Sequence, residues 1–599
     1  MSSNQPPQGP YGQQPPPGPY GQQPPQGPYG PPQQGQYGPS PQQGQYGPSP
    51  QQGQYGPSPQ QGQYGPPPQQ GQYGPPPGPP GGWDQPGQFG GPPDGGGRKR
   101  GVAIVAAVAA FAVVGAGSVF AYTQLSGGGP RPADAMPGTA VAYAQFDLDP
   151  SAEQKVNLVR LLREFPEFEE ATGISSDRED LRQLAFEEIL SDLDCDLDYG
   201  SDIEPWIGDR AGLAAVPVSD TVTPVIAVQV SDEGLAEDAV ATLEECSTTG
   251  ALPEDVDMTE EGSDVAVDFV DDYMLLTEAD HLEDVVQEAT DSPLGDADGF
   301  SDDMDALDEQ GVMAYWVDIP GLLELPVVTS SMESTGQDLS FLDDYDATFG
   351  ALRAGSDYIE FAAMTRGGSF TLDAEGDNPV TELPETTLGA LSVSGGGAAL
   401  DENWEELLAA LDAASGGQAQ AEIDAFETET GFSIPEDIST LLGDNLTIAV
   451  DSEGLSPENL QDPSDIANLG FGARFTTDPD AITDLIERIQ SLLGQQGVPV
   501  ELITRDTDDG LVLASNDDYA DQLADGGSLG DSETFQTAVP DASEAAYAFY
   551  LDVDQLEAAA EAFGETEEIE ELSSLSAVGV SGTQSDDLST VSFRVVFEN

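Results

Sequence analysis

The longest apolar run in this chain is residues 101–122, GVAIVAAVAAFAVVGAGSVFAY, which carries no charge. As a helix rising 1.5 Å per residue it would extend about 33 Å, enough to cross a ~30 Å hydrocarbon layer. C-terminal to it the apolar positions fall into short blocks of two kinds. Some recur with helical spacing: Val156, Val159, Leu161, Leu162, Phe165 and Phe168 predict a helix over 152–171, opened by Asp149-Pro150. Others alternate or run together as strands, predicted at 140–146, after Gly208-Asp209, and at 225–230, 265–270, 273–277 and 312–317. Helices are expected at 233–246 and 282–289 between them. The later part follows the same order: a strand at 469–475, a Thr477-Asp478-Pro479 cap, a helix at 481–493, and strands at 500–505 and 511–515. Hairpins are predicted at 347–354 with 358–365, and at 575–582 with 590–597. Hairpin-connected strands with intervening helices predict an α+β fold with mainly antiparallel sheets and helices packed on one face.

The blocks also recur. PWIGDRAGLAAV at Pro205 matches TLLGDNLTIAV at Thr440, which sets Gly208-Asp209 and Gly443-Asp444 235 residues apart. SPLGDADGF around Asp296 matches GSLGDSETF around Asp531 at the same offset, carrying Phe300 onto Phe535. GVMAYWVDIPGLLE matches EAAYAFYLDVDQLE, and MPGTAVAYAQFDLD resembles LPETTLGALSVSGG. Ordered matches with so long a period argue for two homologous domains, 133–373 and 380–599, rather than a solenoid. They would follow a tail (1–97), the apolar segment (101–122) and a linker (123–132).

Charge orients this layout. Arg98, Lys99 and Arg100 directly precede the apolar run, and no base follows it before Arg131. Basic flanks stay on the cytoplasmic side, so the expectation is a single-pass anchor at the cell membrane with the N-terminus cytoplasmic and the repeats extracytoplasmic. A cleaved signal peptide would start near the N-terminus and carry a shorter core. Within the run, Ala106/Ala110, Ala112/Ala116 and Gly117/Ala121 are small pairs four apart, which an Ala-rich span also yields by chance. The whole chain has 110 acids, 16 bases and a net charge of −94. Only Asp84 and Asp94 among the acids precede the apolar run. Such a surface repels nucleic acid, whose phosphates need Lys and Arg. It favours a basic or cationic envelope partner, cation binding, or simple hydration in salt.

Residues 1–97 are low in complexity. Tyr11, Tyr20 and Tyr29, and then Tyr37, Tyr46, Tyr55, Tyr64 and Tyr73, recur every nine residues in units such as QYGPSPQQG. With Pro removing donors and Gly adding entropy, a disordered, partly polyproline II tail is expected. It reads as a spacer or as a multivalent ligand for a cytoplasmic partner. Cys195 and Cys246, the only cysteines, would both lie outside the membrane. A disulfide between them would contribute about 4 kcal/mol in the chain-entropy model; two buried thiols are the alternative.

Candidate chemistry is sparse. His281 is the only histidine and stands among acids, so it reads as a solvated side chain rather than the base of a triad. One His and two distant Cys do not supply the usual zinc ligand set. Asp192, Asp194, Asp196, Asp198 and Asp202 alternate, but Gly200 and Pro205 break EF-hand spacing, which leaves a solvated acidic loop. Asp147, Asp318 and Asp552 sit where strands give way to helices and read as caps. Gly395-Gly396-Gly397 lacks the Lys and Ser/Thr of a phosphate loop and reads as a plain loop. Trp206 and Trp316 read as core. No catalytic, cofactor-binding or metal-binding residue is assigned, and no cofactor is expected.

The Pro/Gln/Gly/Tyr tail, the single span, the opening strand ending in Asp, the PWIGD motif at Pro205–Asp209 and the segment near Phe300 together resemble the actinobacterial membrane-anchored proteins of domain-of-unknown-function family 3352. The resemblance covers roughly 133–599 and implies an envelope location and a large outer body, with no activity to carry over. The expected function is therefore a non-enzymatic binding or scaffold module of the cell envelope. The alternatives are a carboxylate-based hydrolase of wall polysaccharide and a carrier of an apolar ligand.

Overall fold

Sixteen strands form one continuous antiparallel sheet in the computed structural model. It describes residues 131–147, 198–248, 265–335, 342–372, 376–455, 469–495, 502–563 and 573–598, apart from isolated positions, with a few positions of 154–161. In chain order the strands are β1 (Ala142–Asp147), β2 (Ile207–Val218), β3 (Thr221–Val230), β4 (Val265–Val270), β5 (Tyr273–Glu278), β6 (Met313–Asp318), β7 (Tyr345–Ala354) and β8 (Tyr358–Gly367). Then come β9 (Thr387–Ser394), β10 (Asn445–Asp451), β11 (Phe471–Thr476), β12 (Ile503–Asp506), β13 (Gly510–Ala514), β14 (Tyr547–Asp552), β15 (Leu575–Gln584) and β16 (Leu588–Phe597).

Across the sheet the order is β12-β13-β11-β10-β9-β14-β15-β16-β8-β7-β6-β1-β2-β3-β5-β4. Counted inward from either edge, the first eight strands and the second eight are connected alike. The halves meet where β16 pairs antiparallel with β8, Phe593 opposite Phe361. The described residues belong to a single compact unit, Pro93–Asn599.

Several predicted elements form close to their expected positions. The β4–β5 hairpin turns at Asp271, whose φ of 51° is one that Asp tolerates better than most residues. The two LGD motifs each make a short 3-10 turn, Leu294–Asp296 and Leu529–Asp531. Both deliver a buried phenylalanine edge-on to a strand aromatic: Phe300 to Trp316 at 5.4 Å, Phe535 to Tyr550 at 5.1 Å. Such pairs add about 0.5–1.5 kcal/mol beyond area burial.

The helices do not keep to one face, which corrects the expectation from sequence. Val225 and Ala227 of β3 belong to a core shared with helices Leu282–Asp291 and Asp298–Ala306. Val228 and Val230, on the opposite face, pack with Ala236 and Ala239 of helix Glu233–Thr248. At the other end Val512 and Ala514 of β13 face helices Asp517–Asp525 and Glu533–Ala538. Leu511 faces Ile482, Leu485 and Ile486 of helix Pro479–Gln495. The reason is visible in runs such as TVTPVIAVQV: a strand buried on both faces is apolar throughout rather than alternating.

A second correction concerns the three glycines at 395–397. Only Gly395 is a turn residue, with φ 69°. Gly396 already opens helix Gly396–Ala414. A Cβ on Gly397 would stand 2.6 Å from the Ser439 carbonyl oxygen, so the glycine permits a close approach of two chain segments.

Among the described residues no helix is long and apolar enough to cross a membrane. Residues 101–122, their basic flank Arg98, Lys99 and Arg100, and the tail lie outside the described residues. So does the side-chain geometry of Cys195 and Cys246, although Cys246 stands on helix Glu233–Thr248.

Candidate binding surface

A row of apolar side chains crosses the middle of the sheet on the face opposite the main cores. Register places Phe361 of β8 opposite Phe593 of β16, and Phe593 opposite Val580 of β15. Val580 lies opposite Phe549 of β14, which faces Leu391 of β9, which faces Ile448 of β10. Directly paired residues point to the same side of a sheet, so the six form one line across six strands. At 4.7–4.9 Å per strand it runs about 24 Å. Phe361 is 39%, Phe593 41%, Phe549 38%, Leu391 47% and Ile448 42% exposed. Toward both ends of the sheet the same face is covered by the helices that carry Ala236 and Ile482. The middle is not covered to that degree. A contiguous apolar patch of a few hundred Å² on a protein surface marks an interaction site more often than a neutral surface.

The patch is held rigid from beneath and beside. Tyr315 lies stacked on Phe361 with centroids 6.1 Å apart and rings within 7° of parallel. Its ring covers Gly350, where a Cβ would meet it at 2.5 Å; in the other half Tyr547 likewise covers Gly582, where a Cβ would overlap the tyrosine ring. Each glycine thus lets a tyrosine lie flat on the sheet. Burial pushes both phenols above their ordinary pKa, so the hydroxyls stay neutral.

On the reverse side of the same strand pair, Glu360 is buried. It accepts hydrogen bonds from the Ser592 hydroxyl (2.7 Å), Arg594 Nε (2.9 Å) and Arg353 (3.2 Å). Burial alone would raise its pKa, but the serine hydroxyl and the two guanidiniums outweigh it and hold the carboxyl below its usual range. Arg594 also stacks over Tyr358 at 4.2 Å and donates to the Thr537 carbonyl. Beside it opens a cleft of about 590 Å³ whose walls include Asp357, Glu533 and Thr537. Arg594 is thus occupied as a strut across the joint.

Carboxylates stand at both ends of the central strands. Asp344, Asp346 and Asp587 are exposed at one end, where the Gly367 N–H donates to the Asp587 carbonyl. At the other end the Phe597 N–H donates to the Asp357 carbonyl, and Asp554 and Glu598 are exposed nearby. There the Asp554 carboxyl is pushed up to about 6, first by desolvation and then by Asp552, Glu598 and Glu557. The apolar row therefore lies between two anionic margins.

Residues singled out in the sequence are dispersed. His281 opens helix Leu282–Asp291, its Nε2 3.6 Å from Glu278. Asp318 and Asp552 accept from the Gly321 and Gln555 N–H groups as caps. Asp147 instead pairs with Arg210 at 3.2 Å. Trp206 is core, donating to the Asp202 carbonyl; Trp316 is core, donating to buried Asp303. Asp198 accepts from the Ser201 N–H, while Asp192, Asp194 and Asp196 lie outside the described residues. Among the described residues no three His, Cys, Asp or Glu side chains converge as metal ligands.

The apolar row was missed from sequence, as was a buried ladder in the second half. There Ser392 donates to Asn378, Asn445 donates to Ser392 and Ser394, and Thr447 donates to Asn445. The only signal for the row was aromatic residues in strands already apolar on the other face.

No curated protein and no solved structure matches this chain. A family model described as "Protein of unknown function (DUF3352)" matches residues 102–504, from within the apolar segment through the first half of the sheet and into β12. The chain belongs to that family, DUF3352.

Proposed function

We propose that this protein is a single-pass, membrane-anchored module of the cell envelope whose acidic extracytoplasmic body binds or scaffolds other components without catalysing a reaction. The observation that carries this reading is the exposed apolar row Phe361–Phe593–Val580–Phe549–Leu391–Ile448 on the acidic body of a chain of net charge −94. Hydrated acidic side chains keep such a body soluble; an exposed line of large apolar side chains costs solubility and is explained by an occupant. The anchor rests on residues 101–122 and the preceding Arg98, Lys99 and Arg100. The tail would then be left in the cytoplasm, free to engage partners there. The matching strand order of the two halves and the 235-residue offset of their LGD turns support an internal duplication, with the apolar row starting on β8, crossing the joint and running over five strands of the second half.

The binding role is tested in cells of the source organism with a photo-cross-linking amino acid at position 549 or 593 of the full-length chain. Light-dependent adducts are expected from these positions and not from exposed Asp308 on the first half. Absence of adducts at both face positions would remove the row as a binding surface. Protease added to intact cells tests the topology: cleavage within the body before the tail is expected.

A further inference from the structure

The geometry points to an amphipathic helix of about 16 residues, basic on its polar side, as the occupant of the apolar row. This rests on the binding role proposed above and names the partner's chemistry. The length follows from the row: about 24 Å across six strands equals about 16 residues at 1.5 Å rise.

The form of the occupant follows from what the surface lacks. β8, β16, β15, β14, β9 and β10 each pair on both sides. Their backbone groups are therefore committed to the ladder, and the six side chains of the row carry no polar atom. An extended peptide laid on this face would leave its own N–H and C=O groups without partners. A helix satisfies its backbone internally and packs an apolar stripe on a sheet face. A sheet surface covers one side of a hydrocarbon chain, whereas small apolar ligands are held in concave sites that bury most of their area.

A second copy of this chain is disfavoured on two counts. It would bring two strongly acidic bodies, from chains of net charge −94 each, face to face. The row's six side chains are also few beside the roughly 20–30 residues a side of a stable interface.

Charge selects the sign of the helix. Asp344, Asp346 and Asp587 flank the row on one side, and Asp357, Asp554 and Glu598 on the other. Asp357, Glu598 and Asp587 stand four, five and six residues from the row along β8 and β16, about 13–20 Å, so they favour a cationic helix through their field rather than by direct ion pairs. A cation of the chain's own already stands at one of the margins. Within residues 154–161, Arg160 pairs with Asp357 at 3.3 Å and Asn157 donates to the Ala354 carbonyl.

The test uses the full-length chain in phosphatidylcholine nanodiscs and a fluorescein-labelled 18-residue Leu/Lys peptide patterned as an amphipathic helix. Anisotropy is read against empty discs. Protein-dependent binding is expected, weakened at least tenfold by the combined change Phe361→Thr, Phe549→Thr and Phe593→Thr. A Leu/Glu peptide of the same pattern, and a Leu/Lys peptide of scrambled order, should each bind at least tenfold more weakly to the unaltered protein. These two arms need no variant and stand if the triple change impairs folding. Equal binding by the scrambled peptide, or full binding by a variant that melts normally, would mean attraction by net charge alone and overturn the inference. So would capture of disc lipid by a cross-linker at 593, or a dimer in sedimentation that the triple change dissociates. If cells yield adducts at 549 or 593 but these peptides fail, only the helical, basic occupant falls; if adducts are missing too, the binding role falls with it.

Discussion

Asp554 is where crowding of negative charge becomes measurable at a single residue. Burial and three neighbouring carboxylates, Asp552, Glu598 and Glu557, push it up to about 6. Its folded pKa thus exceeds the ordinary carboxylate value near 3.9. Between about pH 4 and 6 the folded state holds a proton that the unfolded chain has released, so this group's contribution to stability falls as pH rises through that window. Asp554→Asn should therefore raise the melting temperature at pH 7 and leave it nearly unchanged at pH 4. The gain should be below about 1 kcal/mol, since the side chain is exposed and screened. Melting curves at the two pH values check this, and an equal shift at both would refute it. Nothing in the local sequence signals this residue. Its neighbours Asp552 and Glu557 are near in the chain, but Glu598 arrives only because β16 ends beside β15, the strand that pairs with β14.

At the scale of elements the decisive contact is the β8–β16 pair, which makes two eight-strand halves into one sheet. Glu360 is buried there and held by Arg594, Arg353 and Ser592. Arg594→Met removes one guanidinium and leaves the carboxylate buried and undercompensated. Breaking a buried pair in this way costs about 3–5 kcal/mol. Urea unfolding of the variant should show a loss of that order, and a loss under about 1 kcal/mol would contradict the assignment. Hairpins such as β4–β5 and β15–β16 were legible because turn chemistry and alternation are local. The β8–β16 pairing was not, since its partners are more than 200 residues apart and an apolar strand edge does not name its neighbour. The same limit explains the misplaced helices. A strand such as β3 that is apolar on both faces was expected to take helices on one side, whereas Val225 and Val228 have helices on opposite sides.

For the whole molecule, self-repulsion is the dominant electrostatic fact. With 110 acids against 16 bases, even a mixed surface leaves carboxylates facing carboxylates. Screening shortens their reach to about 10 Å at 0.1 M and about 3 Å at 1 M ionic strength. The melting temperature should rise steadily with NaCl over that range; a flat response would show that the carboxylates are spaced widely enough to ignore one another. Ion pairs such as Arg505 with Asp517 and Asp521 weaken in the same range, but surface pairs contribute little each.

Much was decided by the chain alone. The apolar segment 101–122 behind its basic flank, the acidic balance, the repeated blocks and the hairpins are short-range properties, carried by composition and by periods of two and 3.6 residues. The Phe300 and Phe535 contacts were foreshadowed by the offset that relates their motifs. Only the tertiary structure joined the halves edge to edge and closed both faces toward the ends of the sheet. Only it left Phe361, Phe593, Phe549, Leu391 and Ile448 aligned and partly bare between two rims of carboxylates. The physical reason is that exposure is not a property of a side chain. It depends on which distant strand lies alongside and which helix reaches over it, and both are settled by long-range pairing.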